Sequence, residues 1–377
     1  MKIKFTKSVL SEALKPLLNT VSVKSSTASG ESVLIQAYDD DRVVMTTFDN
    51  DKGTQTVVEA EVQEPGAYMI NAMKLDQIVR VCDDVEVLVQ VDSSLGIQIE
   101  SGRAHTKMIA NSADDFATIP DLSGDSGFEV AQTVFKKMLQ KVHFAIGVNE
   151  QRTILNGCLV EIEDNKMLVV ASDGFRIARC ETEVDITNIG NEQKFKFIVP
   201  GKSVNELIKL LSDESEENAR VYMNKKFMIV VVGKFTFFTK LIEGEYLDFD
   251  RIIVKNQKIK VRVNKYEMLN ALERAALVTE EKFIGQSHVK ITIEDQIIKV
   301  TAMSTISSLY DEVECEHEGE DLFISFNNRF LIECVRACDA ENILLSLSSS
   351  FSAMNITPDD EDSDNDVYMV LPIKIAG

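Results

Sequence analysis

Polar and apolar residues alternate at the start of the chain, Lys2-Ile3-Lys4-Phe5, and the period then changes: through Ser8–Leu18 the apolar positions recur three and four apart. Alternation places side chains on the two faces of a strand, whereas the longer period lays them along one face of a helix. The same pair of signals returns at 128–130 followed by 133–142, and again at 259–263 followed by 264–275. Aligning Leu10, Leu139 and Leu269 gives a repeat of 129 and 130 residues, about a third of the chain. Each third also holds a second amphipathic window, at 73–81, 202–211 and 328–337, each after an extended segment, at 66–70, 195–199 and 321–326. Ser203 and Glu206 have the spacing of a capping box. Further alternating segments at 85–91, 167–171, 228–232, 289–293 and 343–347 predict strands. A repeat of this length is read before any local motif. It predicts an α+β chain of three equivalent domains, 1–127, 128–254 and 255–377, each with two half-units of strand, helix and strands. Antiparallel sheets would lie on one side and helices on the other.

Composition narrows the class. Of 377 residues, 45% are hydrophobic and 27% charged, the balance of a chain that buries a core rather than of a disordered one. The longest aliphatic run, Met228 to Val232, is far short of the roughly 20 residues that span a bilayer, so no membrane partner is expected. The N-terminal residues lack the apolar core of a signal peptide, which implies a cytoplasmic protein. Six scattered cysteines form no C-x-x-C pair, and four histidines are too few and too far apart for a metal centre.

The net charge is −21, which taken whole argues against a nucleic-acid partner. Its placement argues the other way. The six helical windows sum to +7, leaving −28 on the rest, much of it in the run 359–366. A face that is basic where helices gather and acidic elsewhere draws a polyanion to one side.

No motif supports catalysis. Gly201-Lys202-Ser203 resembles the end of a phosphate-binding loop, but Lys196 stands where its first glycine would be. Gly124-Asp-Ser-Gly127 resembles the turn around a nucleophilic Ser126, yet neither His105 nor His143 has the signature of a triad partner. The aspartates of 359–366 lack the central glycine and terminal glutamate of a calcium loop, and read as a solvated hairpin loop. No catalytic residue, metal or cofactor is expected.

Four segments in order carry a family signature: NEQRTILNG (149–157), ASDGFRI (171–177), LIEGEYLDFDRII (241–253) and VYMVLPIKI (367–375). The chain resembles, over its whole length, the bacterial sliding clamps, the β subunits of DNA polymerase III. The resemblance implies three domains of the DNA-clamp fold. Two copies would close head to tail into a ring around duplex DNA, with two helices per domain lining it and the sheets outside. Geometry agrees with that stoichiometry: twelve helices spaced about 9 Å apart give about 35 Å between opposite axes and about 25 Å of free width. Six helices would give about 17 Å between axes and exclude a duplex about 20 Å wide.

The resemblance also implies the sites. A groove for partner peptides between the second and third domains would be formed by Leu155, Ser172, Gly174, Phe175, Arg176, Ile177, Leu247, Arg251 and Ile252. Phe330, Phe351, Met354, Met369, Leu371, Pro372 and Ile373 would close it. Lys24, Arg80, Asn149 and Lys202 would meet DNA. Lys74, Ile78 and Met108 of one copy would meet Leu277 and Val278 of the other. Expected partners are duplex DNA without sequence preference, a second copy, the replicative polymerase and the clamp loader. Other polymerases, ligase and mismatch-repair proteins would bind through short Gln/Leu/Phe motifs, on a protein associated with the nucleoid. The chain departs from the family pattern at Leu247, where proline is usual, at Phe175, where histidine is common, and at Met73, where arginine is frequent. Thr153-Ile154 lack its aromatic character. Two rivals belong to other classes: an acidic peptide-binding scaffold that never encircles DNA, and a hydrolase built on Ser126.

Overall fold

The computed structural model describes residues 1–22, 27–82, 85–124, 126–224, 226–279, 288–360 and 365–373. Among them are seven α-helices: α1 (Lys7–Leu18), α2 (Ala72–Val81), α3 (Gln132–Val142), α4 (Gly201–Leu210), α5 (Phe249–Ile252), α6 (Lys265–Thr279) and α7 (Asn328–Ala337). Six fill the predicted windows, and the single turn α5 is additional. Each of the six continues directly from a strand: Lys2–Thr6 runs into α1, Ser126–Ala131 into α3 and Ile259–Asn264 into α6. These joints set the repeat at 125 and 133 residues, measured from Lys7 to Gln132 to Lys265. Leu10, Leu14 and Leu17 therefore correspond to Phe135, Leu139 and Val142 and to Met268, Leu272 and Ala275, all buried. The alignment on Leu10, Leu139 and Leu269 slips by one turn, because residues four apart share a helix face and the apolar pattern alone cannot separate them.

The second helices begin as regularly. Strands Gly66–Asn71, Phe195–Pro200 and Leu322–Asn327 run into α2, α4 and α7. The Asn71 carboxamide caps α2 by accepting from the Lys74 N–H at 3.0 Å, and Asn327 caps α7 by accepting from the Arg329 N–H at 3.1 Å. The capping box predicted at Ser203 does not form: α4 starts at Gly201, which makes Ser203 its third residue. Glu206 instead meets Lys209 at 3.2 Å and Lys52 at 3.7 Å.

The chain divides into two compact units, one of residues 1–136, 185–192 and 205–241, the other of 137–184, 193–204 and 242–377. All strand pairing is antiparallel. In the first unit a five-stranded sheet runs Glu61–Glu64, Lys2–Thr6, Glu86–Val91, Gly96–Ser101, Ala104–Ile109. Its core joins Ile3 and Phe5 to Leu10, Leu14 and Leu17 of α1 and Leu75 and Val79 of α2. A ten-stranded sheet crosses from the first domain to the second, where strand Lys52–Glu59 pairs with Phe235–Lys240. In the second unit a nine-stranded sheet makes the same crossing between the second and third domains: Arg176–Glu183 pairs with Val367–Val370. A four-stranded sheet ends at Ser308–Glu314. Burial alternates as predicted in His288–Glu294, where Val289, Ile291 and Ile293 are buried, but not in Lys166–Ser172 or Phe227–Val232, where 169–172 and 228–230 are buried in succession.

Close packing at the first crossing depends on a missing side chain. A Cβ on Gly53 would come within 2.4 Å of both the Phe238 ring and the Thr47 carbonyl oxygen. Phe238 packs on Phe48 with ring centroids 5.4 Å apart. The ring could shift, but the backbone oxygen cannot without breaking the ladder. Gly53→Ala should therefore lower unfolding free energy by about 1–3 kcal/mol, read as a shifted urea midpoint at unchanged slope.

Candidate functional site

Five of the predicted groove residues, Ser172, Gly174, Phe175, Arg176 and Ile177, form the tight turn from strand Lys166–Ser172 to Arg176–Glu183. Asp173 accepts from the N–H groups of Phe175 at 3.0 Å and Arg176 at 3.1 Å, and the Ser172 hydroxyl donates to the Arg176 carbonyl at 2.8 Å while accepting from Gly174 N–H. Gly174 has φ +86°, so a glycine relieves the turn, although a Cβ there would touch nothing within 4 Å. This folding presents Phe175 outward, 61% exposed, and turns Arg176 inward, 4% exposed.

Arg176 is held on every side. Its Nε donates to Asp173 at 2.9 Å, one terminal nitrogen donates to Glu333 of α7, and the other donates to the Phe144 carbonyl at 2.5 Å. The guanidinium lies over the rings of Phe144 at 5.0 Å and Phe330 at 4.3 Å. Planar stacking and forked donation are what arginine offers and lysine does not. Phe330, thus fixed, lies 6.3 Å from Phe175 between ring centroids.

The C-terminal segment completes the wall. Ile177 faces Met369 and Met354 faces Val370 in strand register. Beyond the strand, Leu371 N–H donates to the Phe175 carbonyl at 2.9 Å and Ile373 N–H to the Ser325 carbonyl at 2.8 Å. Burial sorts the predicted residues into two groups. Ile177 and Met369 lie in a buried apolar cluster with Phe249 and Ile253, and Leu247 packs against it. Leu155, Ser172 and Met354 are also buried. Ile252, Phe351, Leu371 and Ile373 are 44%, 80%, 40% and 38% exposed, apolar side chains left open to solvent. Arg251, at the rim, pairs with Asp248 at 2.9 Å, and Pro372 sits between Leu371 and Ile373 on the same segment. Glu333 and Phe144, which hold Arg176 together with Asp173, lie 157 and 32 residues from it, and no local pattern marks such contacts.

The positions expected to meet DNA sit on different elements. Lys24 lies outside the described residues. Arg80 on α2 is exposed and pairs with Asp76 at 2.8 Å; Asn149 is exposed at φ +58°; Lys202 is exposed in the first turn of α4. The helical charge excess is weaker than the sequence count implies. Nearly half came from α3, whose Lys136, Lys137 and Lys141 each meet an aspartate: Asp213, Asp339 and Asp366. Lys137 holds the Asp339 carboxyl below its usual range. Asp366 is buried, so the acidic run expected to be solvated is anchored at one end; residues 361–364 lie outside the described residues. A cleft of about 450 Å³ between α3 and α7 is lined by Lys137, Lys141, Phe144, Lys265, Glu333 and Arg336. Its cations are occupied too, Lys265 by the Cys338 carbonyl and Arg336 by Glu273.

Of the residues expected between copies, Lys74 and Leu277 are exposed, Ile78 and Met108 half-buried, and Val278 buried in its own domain. Leu277, 80% exposed, is the apolar residue of this set most open to solvent. Ser126 donates to Glu192 at 2.6 Å within the strand Ser126–Ala131, an ordinary surface hydrogen bond. Among the described residues no group of three or more His, Cys, Asp and Glu could hold a metal ion, and no helix is long and apolar enough to cross a membrane. All six thiols are free, and burial pushes those of Cys158 and Cys338 up to about 12, away from reactivity.

Arg176→Lys keeps the charge but loses the fork and the ring stacking. It should cost about 2–3 kcal/mol of stability, measured by urea unfolding, because Glu333 and Asp173 lose bonds in a buried setting.

Three family models match in order: the N-terminal domain of the DNA polymerase III beta subunit over residues 1–120, its central domain over 129–248 and its C-terminal domain over 250–373. A beta sliding clamp of Chlamydia pneumoniae is 28% identical over 379 residues, covering 100% of this chain and 99% of that protein. The solved DNA polymerase III beta subunit of Thermotoga maritima superimposes with a TM-score of 0.88 at 26% identity, covering 100% of both chains. The sliding clamp of Bacillus subtilis does so with a TM-score of 0.92 at 24% identity, again covering both chains in full.

Proposed function

Because the chain belongs to the DNA polymerase III beta subunit family, and so is a non-catalytic processivity clamp, we propose that two copies close head to tail around duplex DNA and tether partners through the groove at Arg176. Domain limits near 1–127, 128–254 and 255–377 suit this assembly. The observation that carries it is a matched pair of unused strand edges. Twice within the chain, the fourth strand of one domain pairs with the third strand after the second helix of the next. Continuing the series leaves Ser308–Glu314 of the third domain and Ala104–Ile109 of the first, both at sheet edges. Unpaired edges are templates for pairing, and a head-to-tail contact that closes after two copies makes a ring.

Such a ring holds DNA by topology, so its contacts can be few and blind to sequence. The pairing of the α3 lysines favours this reading, since it leaves little free positive charge. Lys24, Arg80, Asn149 and Lys202 remain the positions proposed to touch phosphates. The slope of binding against salt should accordingly be shallow. The same positions would serve an associated protein of the nucleoid.

The groove suits short peptides with aliphatic and aromatic anchors. Phe175, where relatives often carry histidine, makes the rim more apolar by stacking on Phe330. The polymerase and clamp loader are the proposed occupants, with other polymerases, ligase and mismatch-repair proteins using the same Gln/Leu/Phe class of motif. A few anchors dominate such interfaces.

Two measurements test the reading. Sedimentation should give a species of about 84 kDa, twice the chain's 42.1 kDa; a monomer at micromolar concentration would contradict the ring. Phe175→Ala with Leu371→Ala trims two exposed side chains and should spare the fold. It should weaken a peptide built around Gln, Leu and Phe at least tenfold in calorimetry, about 1.4 kcal/mol. Unchanged affinity would remove the groove from the account.

A further inference from the structure

The crossing between the first and second domains and that between the second and third are built from the same positions. The turn before the crossing strand is Asp49-Asn50-Asp51-Lys52 in one case and Asp173-Gly174-Phe175-Arg176 in the other. Asp49 accepts from the Lys52 N–H at 2.8 Å as Asp173 does from Arg176, and Asn50 and Gly174 share the left-handed region at φ +77° and +86°. Lys52 and Arg176 are thus one position, the first residue of the crossing strand. Each meets a glutamate at one position of the next domain. Helices α2, α4 and α7 all have 10 residues, and each follows a strand whose last residue pairs with the first residue of a neighbouring strand: Ser32↔Asn71, Gly157↔Pro200, His288↔Asn327. Their sixth residues are Gln77, Glu206 and Glu333. Lys52 lies 3.7 Å from Glu206 with both side chains nearly buried, at 11% and 13% exposure, and Arg176 donates to Glu333.

We infer that this cation–glutamate pair is a latch built once at each joint within the chain, and that the third joint, which a second copy would close, is built without it. The third turn has the same frame: Ser304 accepts from Ser307 N–H at 3.1 Å, and Met303 faces Ser308 as Phe48 faces Gly53 and Ser172 faces Ile177. Ser307 therefore occupies the position of Lys52 and Arg176, and it is exposed. Its counterpart on the first domain is Gln77, also exposed. On the receiving strand, Thr239 faces Lys52, and the hairpins Val232↔Phe235 and Ser101↔Ala104 make Met108 the equivalent of Thr239. Ser307 would thus lie opposite Met108 of the second copy. Neither Ser307 nor Gln77 carries charge, so this joint keeps the strand pairing but loses the ion pair that reinforces the other two. The joint between copies is the one that must part for DNA to enter, and it is the one left unlatched. This inference rests on the ring reading for its third joint and on the structure alone for the first two.

The latch can be installed or opposed. Ser307→Arg with Gln77→Glu places opposite charges at both joints between copies, and Ser307→Glu with Gln77→Glu places like charges there. Measured by sedimentation at low salt, the dimer dissociation constants of the two variants should differ at least tenfold, with the unaltered chain between them and the gap narrowing as salt rises. Equal constants would overturn the assignment of the third joint. Within the chain, Glu206→Gln should raise hydrogen exchange in strands Lys52–Glu59 and Phe235–Lys240 several-fold while leaving Gly96–Ser101 unchanged. Unchanged exchange there would overturn the latch whatever the oligomeric state. A chain monomeric at every concentration would overturn the ring reading and the third joint with it, and the exchange result would still decide the first two.

Discussion

Antiparallel pairing across a domain boundary, Lys52–Glu59 on Phe235–Lys240 and Arg176–Glu183 on Val367–Val370, binds each domain to the next through main-chain hydrogen bonds. Such a joint is rigid, because its register is fixed by the pleat and by side chains that cannot slip by one residue without changing face. Gly53 lets Phe238 sit against the first joint, and Gly174 lets the turn before the second reverse in one tight step. The groove is a by-product of that second joint. Its buried floor is the joint's own core, with Ile177 on one strand and Met369 on the other, and its exposed rim is what the turn and the C-terminal segment leave outside.

Function follows from the same joint in another way. A chain of domains, each donating one strand edge and receiving another, ends with one edge of each kind unused. Closing them on a second copy requires no new chemistry, only a third use of the same contact. The lining then needs no strong hold on DNA. The paired lysines of α3 fit a surface in which ion pairs engage charges that would otherwise be open to a phosphate.

Much of this was legible in the residues. The strand-to-helix change of period marked six helices and the threefold repeat, since period 2 and period 3.6 differ over even a short window. The repeat offset was not fixed by that pattern, because Leu10 matches Leu139 as well as Phe135 on one apolar face; only the strand–helix joints decide. The capping box at Ser203 failed because α4 begins two residues earlier, at Gly201, and Glu206 meets Lys52 instead, a contact far along the chain that no local rule contains. The charge count failed for the same reason, since a sum over α3 cannot register aspartates that arrive from Asp213, Asp339 and Asp366. The proposed groove positions came from family likeness alone, whereas their division into buried and exposed residues needed the fold.

The claim at the centre is that retention on DNA is topological. Loaded onto nicked circular plasmid and passed through a gel-filtration column at physiological salt, the protein should co-elute with the circle and be lost when the same plasmid is cut once. Equal retention on circular and linear DNA, or retention on neither, would contradict it.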